Sequence, residues 1–250
     1  MTMLRVGCSG YVLIASNEIT SRECTIMKAV YLALCAALLI NSFQAAAGVV
    51  IGGTRLVYPG GKKEATITVK NPDDIPYLVQ SWVNADLEGN VKAPFLVTPP
   101  LFRLNGGKEN TLRVVKTAQP LPEDRESVFW FSVKTVPPEA EGKGNHLQIA
   151  VRTRIKLFYR PASLPGSPEE AAGKVRWERS GNTLKAINDS PYYLSFSTVS
   201  VAGEKIKEPQ MVAPFATLAY TLPPSATGKQ VSWQVINDYG GLSAQHQQAL

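Results

Sequence analysis

LQIAVRTRIKLFYRP, residues 147–161, decides how this chain is read. Leu147, Ile149 and Val151 alternate with Gln148, Ala150 and Arg152, the period of two expected of a strand whose faces meet different surroundings. Four cations, Arg152, Arg154, Lys156 and Arg160, then fall within nine residues. At a sheet edge, such a strand can pair with another chain through backbone hydrogen bonds while the cations bind an anion. We therefore expect a strand over residues 147–159 that captures a peptide. The same stripe would also suit the core face of an internal strand.

The first 47 of the 250 residues read as a leader rather than as part of the fold. Met27-Lys28 gives a positive start, residues 29–40 a twelve-residue apolar run, and Ala45-Ala46-Ala47 a small-residue cleavage site before Gly48. Residues 27–47 are thus a secretory signal peptide. Residues 1–26 read as a start codon set too early, the alternative being an unusually long leader. The apolar run is shorter than the roughly 20 residues of a membrane span, so no membrane insertion is expected after export. All three cysteines, Cys8, Cys24 and Cys35, lie in the leader, so the exported chain must hold its fold without disulfides. Removing the leader's three basic and two acidic residues leaves 23 Lys or Arg against 18 Asp or Glu, a net charge of +5. No run of five or six cations interleaved with aromatics occurs, and nucleic acid is not an expected partner.

Beyond residue 48 the chain reads as strands separated by turns. Eight strands are expected at 49–58, 64–70, 76–84, 95–98, 101–104, 110–116, 128–136 and 147–159, with turn signals such as Pro59-Gly60-Gly61 and Asn105-Gly106-Gly107 between them. Three prolines and a glycine in residues 161–168 mark a stiff bend belonging to neither core. Seven further strands follow at 175–179, 183–188, 192–201, 204–206, 210–212, 216–221 and 230–236, with one helical turn at 169–172. The fold class is all-β: a first domain at 48–160, a linker at 161–168 and a second domain at 169–250.

Enzyme chemistry has little to work with. The only histidines are His146, opening the key strand, and His246, in a polar tail read as frayed. No nucleophile elbow, phosphate-binding loop or dinucleotide fingerprint occurs. We expect no catalytic residue, no metal site and no cofactor. A carboxylate-pair hydrolase is the weak enzymatic alternative, and an exported structural sandwich such as a pilin or adhesin module is the alternative among binding proteins.

Six blocks carry a resemblance: GVVIGGTRLVYPGGKKEATITVKN (48–71), YLVQSWV (77–83), TPPLFRL (98–104), LPEDRESVFWFSV (121–133), LQIAVRTRIKLFYRP, and VINDYGG (235–241). In order and over nearly all of residues 48–250, they resemble the periplasmic pilus chaperones of the chaperone–usher pathway, most closely those of type 1 fimbriae. The resemblance implies two immunoglobulin-like sandwiches set as an L around a cleft, no enzymatic activity, and location in the periplasm. It implies that Leu147, Ile149 and Val151 anchor a donor strand lent to pilus subunits, both pilins and adhesin. It further implies that Arg55 and Lys156 bind the subunit's C-terminal carboxylate, and that Glu126, Arg160 and Asp238 form an interdomain ion-pair set. The short loop at 137–145 resembles the branch serving rod-like pili with adhesin tips.

An outer-membrane usher is the second implied partner, with the turns at Thr98-Pro99-Pro100 and Val136-Pro137-Pro138 as contacts. When free, an exposed apolar edge is an aggregation liability that a self-capping dimer would cover. Simple alternation places Lys156 on the face opposite Leu147, so a twist or bulge is expected between them.

Overall fold

The computed structural model describes residues 48–139 and 147–250. The expectations for the leader at 1–47, for His146 and for loop residues 140–145 lie outside the described residues.

Two sandwiches form in sequence order. The first has a four-stranded sheet, β1 (Val50–Ile51), β3 (Ala65–Lys70), β7 (Glu109–Lys116) and β5 (Phe95–Thr98), in that spatial order. Facing it is a five-stranded sheet of β2 (Arg55–Pro59), β9 (Val151–Arg160), β8 (Ser127–Val136), β4 (Tyr77–Asn84) and β6 (Leu101–Leu104). Alternate residues of the two sheets meet in one core, where Val69, Leu112 and Val114 face Val79, Phe131, Val133 and Leu157. Each buried aliphatic or aromatic side chain stabilises by about 1.5–3 kcal/mol.

The second sandwich opens with α1 (Pro168–Gly173), capped by the Ser167 hydroxyl, which accepts from the Glu170 amide. Its small sheet orders β10 (Arg176–Ser180), β11 (Thr183–Asn188) and β15 (Ala216–Thr221). The other sheet orders β13 (Glu204–Lys205), β12 (Leu194–Val201), β16 (Gln230–Val235) and β17 (His246–Ala249), with β14 (Met211–Val212) also on β12. Leu164 packs on this core, so the proline-rich bend is not clear of both cores as expected.

Four local expectations change. The strand expected at 49–58 is two strands in different sheets. Gly52 makes the break: its amide donates to Thr68 O at 2.8 Å, and a Cβ there would lie only 3.2 Å from the same oxygen. Among the described residues the first sandwich therefore has nine strands where eight are expected. The key strand begins at Val151 rather than Leu147, because its partner β8 ends at Val136 and the next residues, Pro137 and Pro138, have no N–H to extend the ladder. Of the twist or bulge expected before Lys156, no bulge occurs in the described ladder: Val151 to Tyr159 pairs residue for residue with Thr135 to Ser127.

The polar tail is a strand as well. His246 stacks on Trp233 at 5.6 Å, and the Gln248 amide bonds both backbone groups of Trp177. These contacts tie the tail down with polar side chains, which a hydrophobic pattern does not register.

The two sandwiches use the same polar device at the end of a strand. Asn71, wholly buried, donates Nδ2 to Ile75 O (2.7 Å) and Leu104 O (3.2 Å) and accepts from the Asp73 amide. Asn188 does likewise with Tyr192 O and Ala213 O, both at 2.8 Å, and the Ser190 amide. Removing the side chain leaves buried carbonyls without donors. Asn71→Ala and Asn188→Ala should each cost about 1–3 kcal/mol in urea unfolding with an unchanged m-value; a midpoint equal to wild type would show the networks to be dispensable.

Candidate functional site

The parallel ladder between β2 and β9 builds the site. It pairs Arg55 with Lys156, Val57 with Phe158 and Pro59 with Arg160. Leu56 and Tyr58 of β2 and Ile155, Leu157 and Tyr159 of β9 alternate into the core. Strand periodicity therefore sends Arg55, Lys156, Phe158 and Arg160 to the outer face, where the second sandwich meets them. Phe158 is buried outside the first core, with its ring 6.0 Å from that of Tyr193. Ile236, Asn237 and Asp238 line the same cavity as Arg55, Phe158 and Arg160.

Arg55 and Lys156 are half-buried and adjacent. The Arg55 guanidinium donates Nη1 to Ile236 O at 2.9 Å and lies 5.6 Å from the Phe158 ring centre. Among the described residues neither cation forms an ion pair. Burial lowers the pKa of Arg55, against the raising charges of Asp238 and Glu126. Burial, then the charge of Arg55, lowers that of Lys156. Two partly desolvated like charges side by side favour an anion, above all a carboxylate that accepts charge-assisted hydrogen bonds from both.

Arg160 is the opposite case. Its Nε donates to Glu126 Oε1 at 2.6 Å, while Nη1 and Nη2 donate to the two Asp238 oxygens at 2.6 and 2.8 Å. Glu126 Oε2 accepts from the Tyr193 amide at 2.8 Å, and the Glu126 amide donates to Pro191 O at 2.9 Å. Glu126 belongs to the loop before β8 and Asp238 to the loop after β16, so one guanidinium ties the two sandwiches together. Burial opposes the charge on Arg160, but hydrogen bonds to Asp238 and the charge of Glu126 leave its pKa above the ordinary arginine value. Burial raises the Glu126 carboxyl against the lowering effects of Arg160.

The apolar stripe lies just upstream on the same chain. Leu147, Ile149 and Val151 are 87, 63 and 54% exposed, which excludes the reading of the stripe as an internal core face. Gln148 holds this segment near β8 by donating to Pro137 O at 2.7 Å. β2 reaches only Lys156–Arg160 of β9, and among the described residues no strand pairs with the outer edge over residues 151–155. Because the ladder is unbroken, Val151 shares the core face with Ile155 and Leu157, while Lys156 lies opposite. Val151 and Lys156 thus lie on two faces of one strand, with Leu147 and Ile149 in the segment that precedes it.

The sequence resemblance pointed to Arg160 with its two carboxylate partners, Glu126 and Asp238, and to the cation pair Arg55 and Lys156, and the structure brings each set together. It missed Phe158, Tyr193 and the Ile236 carbonyl. Phe158 alone left a trace, as the one large apolar residue on the otherwise charged outer face of β9. Among the described residues no group of three His, Cys, Asp or Glu is placed to hold a metal, and no helix is long and apolar enough to cross a membrane.

Two family models match the chain. The pili and flagellar-assembly chaperone model, PapD N-terminal domain, covers residues 48–165, and the pili assembly chaperone PapD C-terminal domain covers residues 170–247. The chaperone protein FimC of Escherichia coli is 46% identical over 205 residues, 80% of this chain and 83% of the relative. The chaperone protein LpfB of Salmonella typhimurium is 45% identical over 207 residues, 80% and 87% of the two chains. Among solved structures, the E. coli chaperone DraB superposes with a TM-score of 0.74 at 43% identity, covering 81% of this chain and 98% of its own. The Salmonella enterica SafA pilin in complex with the SafB chaperone gives 0.76 at 39% identity, with 83% and 98% covered. This all-β chain of two sandwiches belongs to the PapD-like pilus-assembly chaperones, a family of assembly chaperones and not of enzymes.

Proposed function

We propose that this chaperone works in the periplasm by donor-strand complementation. It lends the bare edge of β9 and the segment before it to a pilus subunit while Arg55 and Lys156 hold the subunit's C-terminal carboxylate. The observation that carries this reading is the register of β2 on β9. That register sets the two free cations side by side and stops short of the strand's upstream edge, where Val151, Ile149 and Leu147 stand exposed. A pilin accompanies the SafB chaperone in one of the similar structures, and this is the occupant we assign here.

The physics is consistent with strand addition. Backbone pairing along residues 151–155 supplies affinity and direction, and alternate apolar side chains entering a groove supply specificity. Three aliphatic anchors removed from water contribute on the order of 5–9 kcal/mol before the cost of association. The carboxylate sets the register, since fixing the subunit's end at Lys156 fixes which anchor meets which pocket. Occupying the groove would block premature polymerisation until an outer-membrane usher takes the subunit. The prolines at 99–100 and 137–138 are the usher contacts we assign.

The two arginines then have separate roles, one in binding and one in setting the angle between the sandwiches. Co-expression with a pilin should give a one-to-one complex with wild type and none with Arg55→Ala or Lys156→Ala, both variants remaining folded. Arg160→Ala should instead cost about 3–5 kcal/mol, mainly through the buried carboxylate left unpaired, and broaden the distance distribution between spin labels on the two sandwiches. Unfolding of all three variants alike would overturn the division.

A pH dependence follows from the lowered pKa of Lys156. Carboxylate binding needs the protonated amine, so affinity should be level below that pKa and fall as pH rises through it, earlier than for an exposed lysine. Lys156→Arg should remove the alkaline fall, because guanidinium stays charged. An alkaline fall persisting in Lys156→Arg would assign the titration to another group.

A further inference from the structure

We propose that Tyr239 is an aromatic contact for the bound subunit, forming a lip beside the carboxylate site; this inference rests on the function proposed above. Tyr239 is 95% exposed, more than any other large apolar or aromatic residue among those described. A lone exposed ring is ordinary, but this one stands on a loop that is held from three directions.

Inside the loop, Asn237 Oδ1 accepts from the Tyr239 amide (3.1 Å) and the Gly241 amide (2.9 Å), and the Asn237 carbonyl accepts from the Gly240 amide (3.0 Å). On one flank, Asp238 is held by two hydrogen bonds from Arg160. On the other, Gly240 has φ +84° and presses on Thr54, so that any Cβ there would collide with the Thr54 hydroxyl. Thr54 immediately precedes Arg55, and Ile236, three residues before Tyr239, accepts the Arg55 hydrogen bond. The loop that presents Tyr239 is therefore fixed to both cations' neighbourhood at its base while its ring stays in water.

Such placement suits binding. A rigidly presented tyrosine loses little conformational freedom on association and offers a large apolar face with a polar tip. The partner is defined by continuity with the anion site: a protein whose C-terminal carboxylate lies between Arg55 and Lys156 has its last residues beside Arg55, whose neighbour Thr54 meets Gly240 of the Tyr239 loop. Leu242, 55% exposed on the same loop and paired with Ile236, extends the apolar surface.

The test is a competition. Untagged wild type and a tagged variant are co-expressed with a limiting amount of one pilin, and the pilin captured by each is measured. Tyr239→Ala should lose about tenfold or more in relative capture, as truncation of an aromatic hot spot does, with an unchanged melting temperature. Tyr239→Phe should retain most of it. In wild-type complex, hydroxyl-radical oxidation of Tyr239 should be suppressed relative to free protein. Equal capture by Tyr239→Ala, or undiminished oxidation in the complex, overturns the assignment, including the case in which the variant binds pilin normally and fails only at the usher. Arg55→Ala run in parallel separates the two readings, since its retention of pilin would instead overturn the carboxylate anchor on which this inference rests.

Discussion

The parallel pairing of a five-residue strand, β2, with the downstream half of β9 is the constraint on which the rest of the structure depends. It has three consequences at once. It closes the core of the first sandwich by turning Leu56 and Tyr58 inward, it aligns Arg55 with Lys156, and it leaves the upstream half of β9 without a second neighbour. The same chain could not have covered the whole edge, because Val50–Ile51 pairs with β3 in the opposite sheet. The change of sheet at Gly52 and Gly53 therefore divides β9 into a structural half and an exposed half.

Edge strands normally carry features that prevent further pairing. Here the exposed half keeps apolar residues at Val151 and before it, while the other face carries Arg152 and Arg154. Arg152 lies over the Trp82 ring at 4.8 Å and donates to Ser132 Oγ, so its charge is held against the sheet. The edge is thus apolar on the face that continues the sandwich core and cationic on the face that continues the anion site. A partner must satisfy both, which makes the strand selective as well as adhesive.

Much of this was legible in the sequence, and the reasons differ by element. The strands at 95–98, 101–104, 183–188 and 216–221 fall where expected, because turn residues bound short apolar runs on both sides. The site residues were legible only through the six sequence blocks; nothing in the spacing of Arg55 and Lys156, about a hundred residues apart, shows that they pair. The break at Gly52 was hidden because either side of it reads as strand, and only the neighbouring sheets distinguish two strands from one. The strand start at Val151 depends on Pro137 and Pro138 in its partner, a constraint from another part of the chain. The polar tail was read as frayed because it is held by Gln248 and by His246 stacking rather than by apolar burial. Alternation along β9 places Lys156 opposite Val151, and of the twist or bulge expected between Leu147 and Lys156, no bulge occurs from Val151 onward, where the ladder with β8 is unbroken.

The central claim is that the upstream edge of β9 is bare in the free protein and paired in the complex. Hydrogen–deuterium exchange over residues 147–155, measured on free chaperone and on its purified one-to-one complex with a pilin, tests it directly. The account predicts fast exchange of this segment in the free monomer and strong protection in the complex, with the downstream ladder at 156–160 protected in both. Exchange over 147–155 that stays fast in a stable complex would contradict it, and would place subunit binding on some other surface.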